Sequence, residues 1–245
     1  MNKVNEFNAE EIVPNLIKWI KDWFDVNGKN CNAIIGISGG KDSTVSAALC
    51  VKALGADRVI GVSIPDEGQD NVDATNICKH LGIKCLTFPI SDMSYDFREN
   101  SPVVPSAQAK LNLPARLRMC VLYYVGQSMN GRVVGTCNLS ENYVGYFTKF
   151  GDGVSDCEPL ANFTCSEVKQ IGYYLDLPKF WVDKTPDDNL PGSMPDEKKF
   201  GFSYAELDDY IRNGVEGEHI DKIKEMHNKN MFKIDKVIIP TFPYK

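Results

Sequence analysis

Apolar residues at Ile12, Leu16, Trp19, Ile20 and Trp23 recur at i, i+4, i+7, i+8 and i+11, a spacing that lines one face of an α-helix. The pattern then changes. NAIIGIS at Asn32–Ser38 is continuously apolar in its middle, as expected of a strand buried on both faces of a parallel sheet. A helix from about Asp42 to Leu54, the strand RVIGVSI at Arg58–Ile64, a helix near Asn71–Leu81 and the strand KCLTFPI at Lys84–Ile90 follow. This is βαβαβ, and right-handed crossovers set such strands side by side. A long helix around Pro114–Met129 leads into a further strand, RVVGT at Arg132–Thr136. The alternation predicts an α/β fold, a doubly wound parallel sheet flanked by helices and Rossmann-like in type, with residues 1–245 as one domain.

Beyond Thr136, Gly, Asp, Asn and Pro become frequent through Asn138–Leu160, which reads as functional loops at the carboxyl edge of the sheet. Helices are expected at Ser166–Leu175 and Ser203–Arg212. Between them, Lys184–Lys199 is rich in Pro, Gly and charge and suits a lid.

Composition narrows the class. A hydrophobic content of 43% supports a sizeable core, and 27 Lys+Arg against 33 Asp+Glu (net charge −6) gives no broad basic surface for nucleic acid. No stretch approaches the roughly 20 apolar residues that span a bilayer, and Met1–Glu11 lacks the apolar core of a secretion signal. The expectation is a soluble, cytoplasmic protein with no membrane partner. The 8 cysteines contain no Cys-x-x-Cys pair, so reduced and mostly buried thiols are expected.

Candidate chemistry begins at GISGGKDS, Gly36–Ser43, at the tip of the first strand. Small residues there let backbone approach an anion, and the following helix aims free N–H groups at the same place. It is not a Walker A loop, because Gly36 and Gly40 are too close together and Asp42 follows Lys41. A Gly-Gly turn with Asp42 or Ser43 capping a helix is the plain alternative. The full string between strand and helix favours phosphate binding by Gly36, Ser38, Gly39, Gly40, Lys41, Asp42 and Ser43.

SGGKDS resembles the SGGxDS pyrophosphate loop of the N-type ATP pyrophosphatases, whose fold is adenine nucleotide alpha hydrolase-like. Those enzymes split ATP between the α and β phosphates, adenylate a substrate oxygen and let a nitrogen or sulfur nucleophile displace AMP. NLPARLRMCVLYY at Asn112–Tyr124, GTCNLSENYVGYFTKFGDGVSDCEPL at Gly135–Leu160 and KTP…DE…FGFSYAELDDYI at Lys184–Ile211 are similar, in order and spacing, to segments of NAD⁺ synthetases. The resemblance implies amidation of deamido-NAD⁺ to NAD⁺ with ATP and Mg²⁺, through an adenylate. With too little chain outside the matched segments for a glutamine-hydrolysing domain of about 150 residues, free ammonia is the expected donor. It also implies a homodimer with the pyridine nucleotide at or near the interface.

Residue by residue, the resemblance makes Asp42 and Glu141 the Mg²⁺ ligands, two hard carboxylates completed by phosphate oxygens and water. Either acid alone would read as a helix cap or surface charge. Thr136 is assigned to ATP. Arg116 and Lys149 are assigned to the acidic pyridine nucleotide, with a structural ion pair as the alternative for Arg116. Asp156 matches a substrate-binding acid, and Asp152 is a candidate for orienting ammonia. Tyr123 and Tyr146 suit stacking on the pyridine ring or ordinary packing. Three positions depart from the pattern. Cys165 stands where many members have Lys, Asp187 where they have Ser or Thr, and Phe232-Lys233 where they have His-Lys; the first two fall at ATP contacts and the last in the substrate region. Asp187 is tolerable beside a triphosphate only if solvent-facing, paired, for instance with Lys184, or bound to a second Mg²⁺. Another amidating or thiolating superfamily member, or a non-catalytic nucleotide sensor, are the competing readings. Two metal carboxylates speak against the sensor.

Overall fold

The computed structural model describes residues 7–185, 194–234 and 241–243. Its elements run α1 (Ala9–Asn27), β1 (Asn32–Gly36), α2 (Lys41–Leu54), β2 (Val59–Ser63), α3 (Val72–Leu81), β3 (Lys84–Thr87), α4 (Ser91–Glu99), α5 (Ala107–Ser128), β4 (Gly131–Val133), α6 (Leu139–Val144), α7 (Cys165–Tyr174), α8 (Lys179–Val182), α9 (Asp196–Phe200), α10 (Tyr204–Asn213) and α11 (Ile220–Ile234). The strands form one sheet in the order β3-β2-β1-β4. Every pairing is parallel, with Ile34 opposite both Ile60 and Val133.

Both faces are covered, which is why β1 reads as an unbroken apolar run. Ala33 and Ile35 face a core built with α1, α2, α3 and α7, including Leu16, Leu49, Ile77 and Ile171. Ile34 faces the opposite core, with Leu117, Leu122 and Val125 of α5. Ile34 and Ile35 are wholly buried, each worth about 2 kcal/mol on transfer from water. A one-residue slip of β1 would exchange the two faces. A third cluster, Val144, Phe200, Phe202, Tyr204, Leu207 and Ile223, gathers α6, α9, α10 and α11.

Several boundaries differ from the sequence pattern. Helix α5 begins at Ala107, capped by Ser106, whose hydroxyl accepts from Ala109 N at 3.2 Å, so Pro114 lies inside the helix rather than at its start. Strand β4 is only Gly131–Val133, continued by an isolated bridge from Val134 to Cys157. On α1 the fully buried stripe is Val13, Leu16, Ile20 and Phe24, and Ile12, Trp19 and Trp23 flank it. Two indoles are too large to sit wholly under the helix axis, so they border the contact. No helix among the described residues is long and apolar enough to cross a membrane.

The chain passes from β1 outward to β2 and β3, then returns to β4 on the other side of β1. The carboxyl ends of β1 and β4 therefore flank a topological switch point, where crevices form in such sheets.

Candidate active site

Helix α2 starts almost directly from β1, with Gly40 as its N-cap and no side-chain cap bond. The N–H groups of its first turn remain available to an anion, with the positive end of the helix dipole behind them. The loop is braced by its own hydroxyls: Ser38 Oγ lies 3.2 Å from Ser43 Oγ, Gly40 N donates to Ser38 Oγ at 3.3 Å, and Ser43 Oγ and Thr44 Oγ1 donate to the Gly40 carbonyl at 3.1 and 2.7 Å. Gly39 sits at φ +83°, and a β-carbon there would come within 2.8 Å of Asp73 Cβ, so both conformation and space demand glycine. Lys184 Nζ donates to the Gly39 carbonyl at 3.2 Å and to Asp73 Oδ2 at 2.7 Å. Asp73 is thus a counter-ion of Lys184. Asp187 lies outside the described residues.

Asp42 and Glu141 meet through a third residue. Asn138 caps α6 in a reciprocal box: its side chain accepts from Glu141 N at 3.0 Å, while its own N–H donates to Glu141 Oε2 at 3.2 Å. The remaining Asn138 donor, Nδ2, reaches Asp42 Oδ1 at 3.2 Å. One wholly buried amide therefore fixes the spacing of the two acids. Both project from first turns of helices, Asp42 from α2 and Glu141 from α6. Burial, and then the charge of Asp42, push the Glu141 carboxyl well above its usual range, the condition that a bound divalent cation relieves. Hard oxygen donors fit Mg²⁺. Among the described residues no group of three or more His, Cys, Asp or Glu is placed to hold a metal ion.

Lys41 is almost fully buried, its Nζ 2.7 Å from Asp42 Oδ2. Burial would push the ammonium down, but Asp42, with Cys165 and Glu141 behind it, outweighs burial and holds the pKa above normal. Cys165 lies in the same nest: its backbone N–H donates to Ser140 Oγ at 2.9 Å, and its thiol is pushed up to about 12, first by burial. The chain thus keeps a cation beside Cys165, carried by the loop. Thr136 is half-buried two residues before Asn138.

Among the residues expected to meet the pyridine nucleotide, Arg116 Nε donates to the Lys149 carbonyl at 3.3 Å, and Lys149 Nζ donates to the Phe232 carbonyl at 2.9 Å while lying 5.7 Å from the Phe232 ring centroid. Lys233 donates to the carbonyls of Gly145 and, at 3.1 Å, Phe147. These four form one patch, in which Arg116 is held by a backbone carbonyl. Asp152 accepts from Thr148 N at 2.9 Å, and burial raises its carboxyl. Tyr123 and Asp156 pair with each other, Oη to Oδ1 at 3.3 Å, and line a cleft of about 170 Å³ with Arg132 and Gln127. Tyr146 packs edge-on against Phe200 with centroids 4.6 Å apart, and its hydroxyl donates to Asp196 at 3.0 Å.

Sequence reading missed Asn138, the burial of Lys41 and the buried acid Glu158. The Asn138 role had a signal, since NLSE carries a capping-box spacing. Nothing local marks Glu158 as buried.

The NAD synthase family model matches residues 12–241. An NH(3)-dependent NAD(+) synthetase from Archaeoglobus fulgidus is 38% identical over 221 residues, 89% of each chain. Among solved structures, an NMN synthetase from Francisella tularensis superposes with a TM-score of 0.87 at 35% identity, covering 97% of this chain and 100% of that one. An NH3-dependent NAD synthetase from Campylobacter jejuni does so with 0.76 at 26%, covering 95% and 98%. With its uncapped phosphate loop and paired carboxylates at the switch point, the chain belongs to the NAD synthase family, ATP-using ligases that form a carbon–nitrogen bond.

Proposed function

We propose that this chain converts deamido-NAD⁺ to NAD⁺ with ATP and free ammonia, through an acyl-adenylate, releasing AMP and pyrophosphate. The observation that carries it is the Asp42–Asn138–Glu141 unit standing beside the open amino terminus of α2. The amides of Gly39 and Gly40, the hydroxyls of Ser38 and Ser43, and Lys41 receive the leaving pyrophosphate. Thr136 and Cys165 border the nucleotide, with Asp187 assigned beside them. Asp42 and Glu141 would hold Mg²⁺, which would supply charge neutralisation of the phosphates. Arg116, Lys149 and Lys233 bind the anionic acceptor, with Phe232, Tyr123, Tyr146 and Asp156 completing its site. Asp152 orients the nitrogen nucleophile. No protein nucleophile takes part, so rate comes from positioning and electrostatics.

The reading extends to one domain over residues 1–245, a homodimer and a cytoplasmic location. The exposed Leu111 and Tyr124 on α5 support the dimer, and free thiols at all the cysteines support the location. Incubation with deamido-NAD⁺, ATP, Mg²⁺ and ammonium, read by mass spectrometry, is expected to yield NAD⁺ and AMP in equal amounts. No AMP would refute the reading. The 35% identity to the Francisella tularensis NMN synthetase over its whole length supports a second acceptor, the nicotinate mononucleotide. The ratio of kcat/KM for the two acceptors decides between them.

A further inference from the structure

Helix α6, which carries Glu141, is 6 residues long, well below the roughly 12 at which a helix begins to hold by itself in water. Its end carbonyls need donors from elsewhere. The amino end is tied to the core, with Leu139 N donating to the Phe163 carbonyl at 2.8 Å and the Ser140 hydroxyl donating to Asp208. At the carboxyl end the chain itself serves two carbonyls: Tyr146 N donates to that of Glu141 at 2.8 Å, and Gly145 N to that of Asn142 at 3.1 Å. The next three are served by one stripe of α11. His227 Nδ1 lies 2.6 Å from the Tyr143 carbonyl, which can only accept, so Nδ1 donates; the imidazole also stacks on the Tyr143 ring, with centroids 4.3 Å apart. Asn230 Nδ2 donates to the Val144 carbonyl at 2.8 Å, and Lys233 Nζ to that of Gly145. Residues three apart share a helix face, so these donors line up along α6. Gly145 permits the approach: it sits at φ +67°, and a β-carbon there would lie 2.4 Å from Asn230 Cβ.

The last turn of α11 also holds the acceptor loop. The Phe232 carbonyl accepts from Lys149 Nζ at 2.9 Å, and Lys233 Nζ reaches the Phe147 carbonyl at 3.1 Å. Yet α11 buries only Ile223, so few apolar contacts hold it, and such an element opens before the sheet does. We propose that docking of α11 couples the metal carboxylate to the acceptor site, with His227 and Asn230 as positioning residues for Glu141; the coupling rests on the acceptor assignment above. Docked, α11 completes the carboxyl end of α6 and fixes the helix from which Glu141 projects. Docked, it also sets Lys149 and Lys233 for the anionic acceptor. Two ligands that favour the same state of one element strengthen each other's binding, and by the same factor in both directions.

The test uses the full chain with Mn²⁺ as the probe, its binding followed by electron paramagnetic resonance in the presence of a non-hydrolysable ATP analogue. In wild type, deamido-NAD⁺ should tighten Mn²⁺ about fivefold or more. It should also slow hydrogen exchange at the Gly145 and Tyr146 amides and leave that of α2 unchanged. His227→Phe keeps a ring on Tyr143 and loses the donor, and Asn230→Leu keeps the branched shape and loses the donor. Each should weaken Mn²⁺ about fivefold, reduce the effect of deamido-NAD⁺ and speed exchange at Gly145 and Tyr146 while α2 stays at the wild-type rate. His227→Asn returns an amide donor near the place of Nδ1 and should recover Mn²⁺ binding to within about twofold of wild type. Unaltered Mn²⁺ binding in both donor-less variants overturns the proposal, as does His227→Asn no better than His227→Phe. Exchange that quickens equally in α2 and α6 also overturns it, because the residues would then stabilise the whole fold rather than position Glu141. Deamido-NAD⁺ that fails to bind in equilibrium dialysis overturns the functional reading and the coupling with it, whereas binding that leaves Mn²⁺ affinity unchanged overturns the coupling alone.

Discussion

The hydroxyl contacts that shape the phosphate loop span 2 to 5 residues, whereas Arg116 reaches Lys149 across 33 residues and Lys149 reaches Phe232 across 83. The loop heads a helix whose residues are buried from Lys41 to Cys50 apart from the half-buried Asp42, so it forms when α2 docks. The Arg116–Lys149–Phe232 patch depends on α11, which buries only Ile223. A site can thus join a rigid half, coded within a few residues, to a half that exists only once distant segments have met. Local opening is expected at the second half first.

The strongest test of the rigid half is removal of its charges. Asp42→Asn and Glu141→Gln should each lower pyrophosphate release about a hundredfold or more at saturating ATP, with circular dichroism unchanged. Asp42→Asn should also cost about 3 kcal/mol of stability, because it strands the buried Lys41 ammonium without its counter-ion. Near-wild-type turnover in both variants would remove the metal assignment. Arg116→Ala addresses the assembled half: the acceptor KM should rise about tenfold while that for ATP stays within about twofold. A matching rise in both would erase the distinction between the halves.

Glu158 offers a test by pH. Its folded pKa is raised, so its stabilising contribution is fully present below the unfolded carboxyl value and is lost as pH rises through about 8. Glu158→Gln lacks this dependence. Its melting temperature relative to wild type should improve by about 5 °C between acid and alkaline buffer, and a flat difference would mean the carboxylate is solvated. The smallest effect is expected at Lys184→Ala. The Lys184–Asp73 pair is partly exposed, 33% and 51% by side chain, so its loss should cost under about 1 kcal/mol. The ATP KM should rise only about threefold through the freed Gly39 carbonyl.

Much of the sheet could be read from the chain. The apolar runs of β1 and β2 and the glycine string after β1 are local signals, and burial on both faces makes them strong. Helices α4 and α11 left weaker traces, since each buries a single side chain, Ser94 and Ile223. The start of α5 was hidden because Pro114 imitates a first-turn proline. Asp42 and Glu141 were identifiable as residues, but the amide joining them was not, because that contact spans 96 residues. Glu158 was invisible for a related reason: an acid beside Pro159 and Leu160 reads as surface until Gly135 is seen against it.

The cysteines have a practical consequence. Cys120 on α5 is exposed and Cys85 is half-buried, while Cys31, Cys50, Cys78, Cys137, Cys157 and Cys165 are buried. Burial keeps the Cys50, Cys78, Cys137, Cys157 and Cys165 thiols protonated, and a thiol reacts with alkylating agents only as thiolate. Iodoacetamide should therefore label Cys120 first and leave the two thiols that sense Asp42 and Glu141, Cys137 and Cys165, untouched in the folded protein. An alkyl group found by mass spectrometry on Cys137 or Cys165 then counts a molecule that opened, so the protein carries its own unfolding reporter next to Asp42 and Glu141.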